Sequence, residues 1–192
     1  MKILAIAGSK NPEGKTSLCV MSFFLEIAKE HQCETILLTE KKLELCRQCD
    51  FNGWGLCRTE GRCVIEDDFE KIVNRIRKAD AVVFFTPVYF GDMSESIKCF
   101  LDRLRRITRH PQGKNGIYEK PTIGVCVAGG GGGGAVSCCF FMERVLATCG
   151  FSVEDMIPCR RQNLSLKSSI LTSTGKWFVQ QLSLENPEGR NG

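Results

Sequence analysis

MKILAIAGSKNPEGKTS, residues 1–17, is the stretch that decides the fold. It combines a short apolar strand, a small polar loop that begins at Gly8, and the start of a helix near Thr16. In an open α/β sheet, the backbone N–H groups of such a loop and of the first helical turn are unpaired, and the helix dipole adds about half a positive charge there. We therefore expect a phosphate group on the loop residues Ser9, Lys10, Gly14, Lys15, Thr16 and Ser17.

Two familiar nucleotide-binding loops do not match this stretch. A Walker A loop, G-x-x-x-x-G-K-[ST], would need glycine at position 9, but the chain has Ser9, with Gly8 one position early. A nucleotidase would also need an Asp at the end of a later apolar strand, where this chain has Thr86-Pro87. This first loop also lacks the dinucleotide motif G-x-G-x-x-G. The loop favours a monophosphate, and a P-loop nucleotide-binding protein is the weaker alternative.

Composition indicates the class of protein. With 192 residues, 43% hydrophobic and 25% charged, the chain suits one domain over residues 1–184, with a flexible tail at 185–192. The net charge is +4, but the lysines and arginines are scattered among acidic residues, which argues against nucleic-acid binding. There is no apolar run of about 18 residues and no signal-peptide pattern, so we expect no membrane contact and a cytoplasmic location. Twelve cysteines in such a chain indicate thiols or metal ligands rather than disulfides.

Strand and helix patterns alternate along the chain. After the first strand, apolar runs predict strands at 35–39, 81–85, 122–128 and 151–158. Helical spacing predicts helices at 16–31, from Asp67 through Ile76, at 94–107, at 136–149 with Gly150 as a C-terminal cap, and at 168–184. This alternation predicts an α/β fold with a doubly wound five-stranded parallel sheet of order 2-1-3-4-5. Ligands bind such sheets beyond the carboxyl ends of strands one and three.

Two further loops should lie beside the first at that edge. The loop after strand three begins at Thr86 and gives a stiff, partly aromatic wall for a planar ring, and six glycines, 129–134, follow strand four. Glycine backbone N–H groups could approach the ring edge closely, although a glycine run can also be a mere linker. A flavin has both a phosphate and a planar ring. The expected ring contacts are Pro87, Val88, Tyr89, Phe90, Gly91, Gly129, Gly130 and Gly131.

Together these loops resemble a known family. Gly8-Ser9-Lys10 with Gly14-Lys15-Thr16, the Thr86–Gly91 stretch and the glycine loop resemble the flavodoxin-like NAD(P)H-dependent FMN reductases, over the chain to about Arg161. The resemblance implies FMN with its phosphate on the first loop, and a hydride taken from NADH or NADPH by the flavin with no catalytic side chain. It implies a flavin, quinone or protein acceptor. It also implies a homodimer or homotetramer, with Lys98 and Arg103 as interface candidates.

A non-catalytic electron carrier with the same fold is the competing class. Carriers of the flavodoxin type are usually acidic and lack a cysteine-bearing segment. This chain is basic and carries such a segment at residues 45–65, an insertion in the predicted domain. Both features favour the reductase.

The cysteine segment contains Cys46, Cys49, Cys57 and Cys63, with spacing C-x2-C-x7-C-x5-C. Soft thiolates gathered on a loop select iron–sulfur clusters or zinc. The segment also resembles that of the iron–sulfur flavoproteins, in which a compact four-cysteine motif leads into a stretch like Val64–Asp68, although the middle gap is longer here. A [4Fe–4S] cluster, zinc and plain thiols all stay open. The other eight cysteines are expected to be mostly small core residues.

Overall fold

A mixed sheet forms the centre of the computed structural model, which describes residues 1–185. The strands are β1 (Lys2–Ala7), β2 (Gln32–Leu37), β3 (Ala81–Tyr89), β4 (Asp92–Met93), β5 (Pro121–Ala128) and β6 (Ser152–Arg160). Five of them are parallel, in the order β2-β1-β3-β5-β6, which is the predicted order 2-1-3-4-5. Strand β4, which the sequence did not predict, pairs antiparallel with β3.

Helices connect the strands. They are α1 (Lys15–Phe24), α2 (Leu56–Thr59), α3 (Phe69–Lys78), α4 (Glu95–Ile107), α5 (Pro111–Lys114), α6 (Ala135–Cys149) and α7 (Leu164–Glu185). The prediction of one helix over 16–31 was wrong at its end, because a separate 3-10 helix at Ile27–Lys29 leads directly into β2. Gly150 caps α6 in the left-handed region, as predicted, with φ of 96°. None of the helices within residues 1–185 is long and apolar enough to cross a membrane.

The prediction of a loop over residues 86–93 was wrong for its first half, because strand β3 continues to Tyr89. Thr86 and Pro87 pair with β5, so Pro87, Val88 and Tyr89 are strand residues. Tyr89 then pairs with Asp92 across a two-residue turn formed by Phe90 and Gly91, whose φ angles are 51° and 81°. Positive φ at both central residues is the geometry of the tight turns that join antiparallel strands. The sheet therefore carries the predicted aromatic wall on a hairpin rather than on a free loop.

Two apolar cores cover the two faces of the sheet. Alternate residues of β1 face opposite sides: Leu4 and Ile6 pack with helices α3, α4 and α6, whereas Ile3 and Ala5 pack with α1 and α7. The β3 residues from Ala81 through Phe85 are fully buried, as a strand covered on both faces requires. The cysteine segment packs on the α4 face through Cys57 and Cys63. The predicted tail lies outside the described residues except for Glu185, the last residue of α7.

Candidate functional site

The first loop is folded around Asn11. Its carbonyl oxygen accepts hydrogen bonds from the Gly14 N–H at 3.1 Å and from the Ser17 hydroxyl at 2.8 Å, and its side-chain oxygen accepts from the Glu13 N–H at 3.0 Å. Sequence reasoning did not select Asn11, although an Asn-Pro pair commonly starts a turn. The loop is thereby held open around the start of α1.

The start of α1 is suited to an anion. No side chain caps its first turn, whose N-cap is Gly14, so the first N–H groups of the helix are available to a bound phosphate. Around this point Thr16 is buried, Ser9 and Ser17 are half-buried, and Lys10 and Lys15 are exposed. The structure thus brings the six predicted phosphate-binding residues to one loop and one helix terminus.

The glycine run is an ordered loop, which argues against the linker alternative. The Gly132 N–H donates to the Gly129 carbonyl at 3.0 Å, and the side chain of Gln162 donates to the Gly131 carbonyl at 2.8 Å. A Cβ added at Gly129, Gly130, Gly131 or Gly133 would meet no protein atom within 4 Å. This part of the loop therefore presents open backbone, on which a planar ring could lie.

Contacts with β3 and α4 place the first loop at the carboxyl edge of the sheet, where the glycine loop touches the hairpin. The Gly8 N–H donates to the Phe85 carbonyl at 2.9 Å, and the Ser96 hydroxyl donates to the Gly8 carbonyl at 3.3 Å. A Cβ added at Gly134 would lie 2.6 Å from the Gly91 Cα, so the glycine loop touches the β3–β4 hairpin. The first loop, the hairpin and the glycine loop therefore lie at the same edge of the sheet.

Aromatic surface is exposed on the hairpin. Tyr89 is 57% exposed, and Phe90 at the turn is fully exposed. Large exposed aromatic side chains at the edge of a polar loop system are typical of a surface that a ligand covers. The uncapped helix start, the open glycine backbone and this aromatic surface together fit the phosphate and the ring of FMN.

The four predicted metal ligands line one small cavity. Cys46, Cys49, Cys57 and Cys63 surround a space of about 20 Å³, together with Arg47, Arg103 and Arg106. That space suits one water molecule. Within residues 1–185, no three Cys, His, Asp or Glu side chains lie close enough to hold a metal ion. The donors fit an iron–sulfur cluster in kind and number, since four cysteine thiols line the same cavity.

The structure corrects the prediction that Arg103 is an interface residue. Its side chain is 1% exposed and forms an ion pair with Asp67, whose side chain is 0% exposed, with an Nη1–Oδ2 distance of 2.6 Å. Lys98, the other interface candidate, is half-exposed and pairs with Asp92 on β4. The register of α4 gave a signal that sequence reasoning missed: position 103 follows the buried Phe100 by three and precedes the buried Ile107 by four.

The buried pair changes the pKa of Asp67. Burial alone would raise this pKa, but hydrogen bonds from Arg103 and from the backbone N–H groups of Glu44 and Phe69 outweigh burial and hold the pKa of Asp67 below its usual range. The Glu44 N–H donates to Oδ2 at 2.8 Å, and the Phe69 N–H donates to Oδ1 at 3.0 Å. Asp67 is therefore ionised near neutral pH and stabilises the charge of Arg103.

Comparison with known proteins identifies the family. A family model described as NADPH-dependent FMN reductase matches residues 1–150. The chain belongs to this family. Membership of the NADPH-dependent FMN reductase family confirms the resemblance drawn from the three loops, and it supports the predicted FMN with NAD(P)H as reductant.

Two similar curated proteins are named iron-sulfur flavoproteins. An iron-sulfur flavoprotein of Methanocaldococcus jannaschii is 35% identical over 125 residues, which cover 65% of this chain and 62% of that protein. An iron-sulfur flavoprotein of Methanosarcina thermophila is 32% identical over 105 residues, which cover 54% of this chain and 52% of that protein. The chain thus spans about half to three fifths of the length of these relatives.

A solved structure supports the fold. RosB, solved with 8-demethyl-8-formylriboflavin-5'-phosphate bound, superposes with a TM-score of 0.69 at 16% identity, over 94% of this chain and 81% of that one. At this identity the likeness concerns the fold alone. It confirms the flavodoxin-like α/β architecture.

Proposed function

We propose that this chain is an FMN-dependent NAD(P)H oxidoreductase that passes electrons from a nicotinamide to a flavin, quinone or protein acceptor. The observation that carries the proposal is the meeting of three loops at one sheet edge in a chain of the FMN reductase family. The region combines an uncapped helix terminus, open glycine backbone and exposed aromatic rings.

Each loop has its own part in holding the cofactor. The N–H groups of the first turn of α1, with Ser9, Thr16 and Ser17, would hold the phosphate, and Lys10 and Lys15 would add positive charge. The hairpin residues Pro87–Gly91 and the glycines 129–131 would flank the ring and exclude water from one side of it. FMN supplies hydride uptake from a nicotinamide and onward transfer of one or two electrons. The protein then needs no side-chain acid or base.

The cysteine segment would add a second redox centre. We propose that Cys46, Cys49, Cys57 and Cys63 hold a [4Fe–4S] cluster that exchanges single electrons with an outside acceptor. The four thiols around one cavity support this part of the proposal, as do the names of the two relatives. The predicted homodimer or homotetramer, and the single domain over 1–184 with its insertion at 45–65, stay predictions.

Anaerobic purification and spectroscopy test both parts. We expect flavin bands near those of FMN, together with iron and sulfide in a ratio close to one, and oxidation of NADH or NADPH when FMN or a quinone is added. Bound flavin without turnover on either nicotinamide would indicate a non-catalytic carrier. Protein that binds no flavin after incubation with FMN would overturn the proposal. Iron-free protein that still oxidises a nicotinamide would overturn only the cluster part of the proposal.

A further inference from the structure

Arg103 joins three pieces of the chain around the cysteine segment. Its Nη1 donates to the Glu44 carbonyl at 3.0 Å, just before the segment, and to Asp67 just after it. Its Nη2 donates to the second Asp67 oxygen at 3.0 Å and to the Sγ of Cys63 at 3.4 Å. One buried guanidinium on α4 therefore holds both ends of the segment and its last thiol.

The surroundings of this guanidinium fix its orientation. The two Asp67 oxygens bind it in a fork, and its central carbon lies 4.2 Å from the centre of the Phe69 ring. A planar group held on one edge by a carboxylate and on one face by an aromatic ring has little freedom to rotate. The N–H directed at Cys63 is therefore preorganised.

The other two arginines at the cavity have different partners. Arg47 pairs with the Glu44 carboxylate at 2.8 Å, and Arg106 donates to the Gly53 carbonyl at 2.7 Å and lies over Trp54. Of the three arginines that line this cavity, Arg103 is the one that donates to a cysteine sulfur. Arg103 can therefore act on the thiols through a hydrogen bond, whereas Arg47 and Arg106 can act on them through positive charge alone.

We propose that Arg103 is a positioning residue that holds Cys63 in place as the fourth cluster ligand and raises the reduction potential of the cluster. The inference rests on the cluster part of the proposed function. Adding an electron increases the negative charge on the ligand sulfurs, and an N–H···S hydrogen bond stabilises that charge. Asp67 offsets much of the guanidinium charge, so the directed hydrogen bond carries most of the effect.

The test compares Arg103→Lys and Arg103→Gln with the matched control Arg106→Gln. A lysine keeps the charge for Asp67, but one ammonium group cannot reproduce the fork together with the bond to Cys63. We expect Arg103→Lys to incorporate less iron and sulfide than the wild type, and the clusters that form to have a midpoint potential more negative than that of the wild type. We expect a further negative shift in Arg103→Gln. Arg106→Gln removes a charge but no hydrogen bond to sulfur, so it should shift the potential less than Arg103→Gln does.

The readout is a potentiometric titration followed by electron paramagnetic resonance, with the flavin potential of the same sample as an internal reference. The flavin potential should not change in any variant. If Arg103→Gln does not fold, the double variant Arg103→Gln with Asp67→Asn removes both buried charges and is expected to show a negative shift close to that of Arg103→Lys, because only the hydrogen bond to Cys63 is lost.

The outcomes separate this inference from the proposed function. Wild-type protein that takes up no iron overturns the cluster and this inference together. Iron-loaded wild type with an unchanged potential in Arg103→Lys, or with an equal shift in Arg106→Gln, overturns the inference and leaves the cluster in place. A cluster shift accompanied by an equal flavin shift also overturns it, because it indicates a general change of structure.

Discussion

At the scale of single residues, Gly134 has no side chain, and this lets the backbone of the glycine loop contact the backbone of the hairpin at Gly91. Its φ is +79°, and an added Cβ would lie 2.6 Å from the Gly91 Cα and 3.0 Å from the Gly91 N. Gly134→Ala is therefore expected to destabilise the flavin-free protein by about 1–3 kcal/mol, because both the backbone conformation and the contact become unfavourable. Urea unfolding followed by circular dichroism measures the change.

Gly133→Ala is the matched control for this prediction. A Cβ at Gly133 meets nothing within 4 Å, and its φ lies outside the left-handed region. Its stability should stay within about 0.5 kcal/mol of the wild type. Equal losses in the two variants would mean that the contact between Gly134 and Gly91 does not hold the loops together.

Asp67 makes the free energy of unfolding depend on pH in the acid range. Its pKa is lower in the folded protein than the ordinary value of about 3.9, so its stabilising contribution is complete above about pH 4 and is lost as the pH falls through the folded pKa. Asp67→Asn leaves Arg103 buried without a charge partner, which should cost about 3–5 kcal/mol at pH 7. The gap in unfolding free energy between wild type and variant should shrink below pH 4, because protonation neutralises Asp67 in the wild type as well.

Urea unfolding at several pH values between 3 and 7 measures this gap. Glu60→Gln is the control, since Glu60 is exposed and pairs with Arg62 at 2.7 Å on the surface. It should change the stability by about 0–1 kcal/mol throughout. A gap between wild type and Asp67→Asn that stays constant down to pH 3 would show that the buried pair does not titrate with Asp67.

Arg103 shows what a sequence pattern leaves undecided at this scale. An arginine after an aspartate on an amphipathic helix is usually a surface residue, and the family resemblance implied an interface role for Arg103. Its burial depends on Asp67, which precedes α3 and is distant in sequence. Helical spacing could place position 103 on the inner face, but the partner that makes burial of the charge possible is a tertiary contact.

At the scale of elements, the start of α1 is the proposed anion site. Its N–H groups have no side-chain cap, and Lys15 is the first residue of the helix. Lys15→Ala should weaken FMN binding roughly fivefold, equivalent to about 1 kcal/mol, because an exposed lysine at a phosphate contributes modestly. Binding of riboflavin, which lacks the phosphate, should change less than about twofold. Fluorescence titration of the flavin-free protein measures both affinities.

Lys29→Ala serves as the control for Lys15→Ala. Lys29 lies in the 3-10 helix beyond α1 and pairs with Glu26 at 3.1 Å, so it should affect neither flavin. A loss of riboflavin affinity equal to the loss of FMN affinity in Lys15→Ala would place the phosphate elsewhere.

The predictions were correct for elements that a local sequence pattern determines. They were wrong where pairing between strands determines the bounds of an element. The buried run Ala81–Phe85 identified the central strand, and Gly150 identified the end of α6. The extension of β3 to Tyr89 was missed because Thr86-Pro87 is typical of a loop, whereas here both residues pair with β5. The turn at Phe90-Gly91 requires a positive φ at a phenylalanine, which sequence propensity disfavours.

At the scale of the whole molecule, the proposed flavin site lies at the carboxyl edge of the sheet, whereas the cysteine segment packs on one of its faces. The first loop leads into α1, which packs on one face, and the cysteine segment packs against the α4 face on the other. Helix α4 connects them, since Ser96 in its first turn contacts Gly8 and Arg103 two turns later contacts Cys63. The order of the strands made the flavin edge predictable, whereas the packing of the cysteine segment depends on contacts between distant residues.

This arrangement predicts that the two proposed redox centres can be removed independently. Cys57→Ser replaces a half-buried thiol that lines the cysteine cavity and lies away from the three flavin loops in sequence. It should abolish iron incorporation and lower the reduction of a one-electron protein acceptor at least about tenfold, while flavin content and quinone reduction fall less than about twofold. Iron analysis, flavin absorbance and steady-state assays measure the four quantities. The buried Cys149→Ser on α6 is the control for loss of a thiol and should keep its iron. Flavin lost together with iron in Cys57→Ser would show that the cysteine segment supports the flavin site and that the two regions are one.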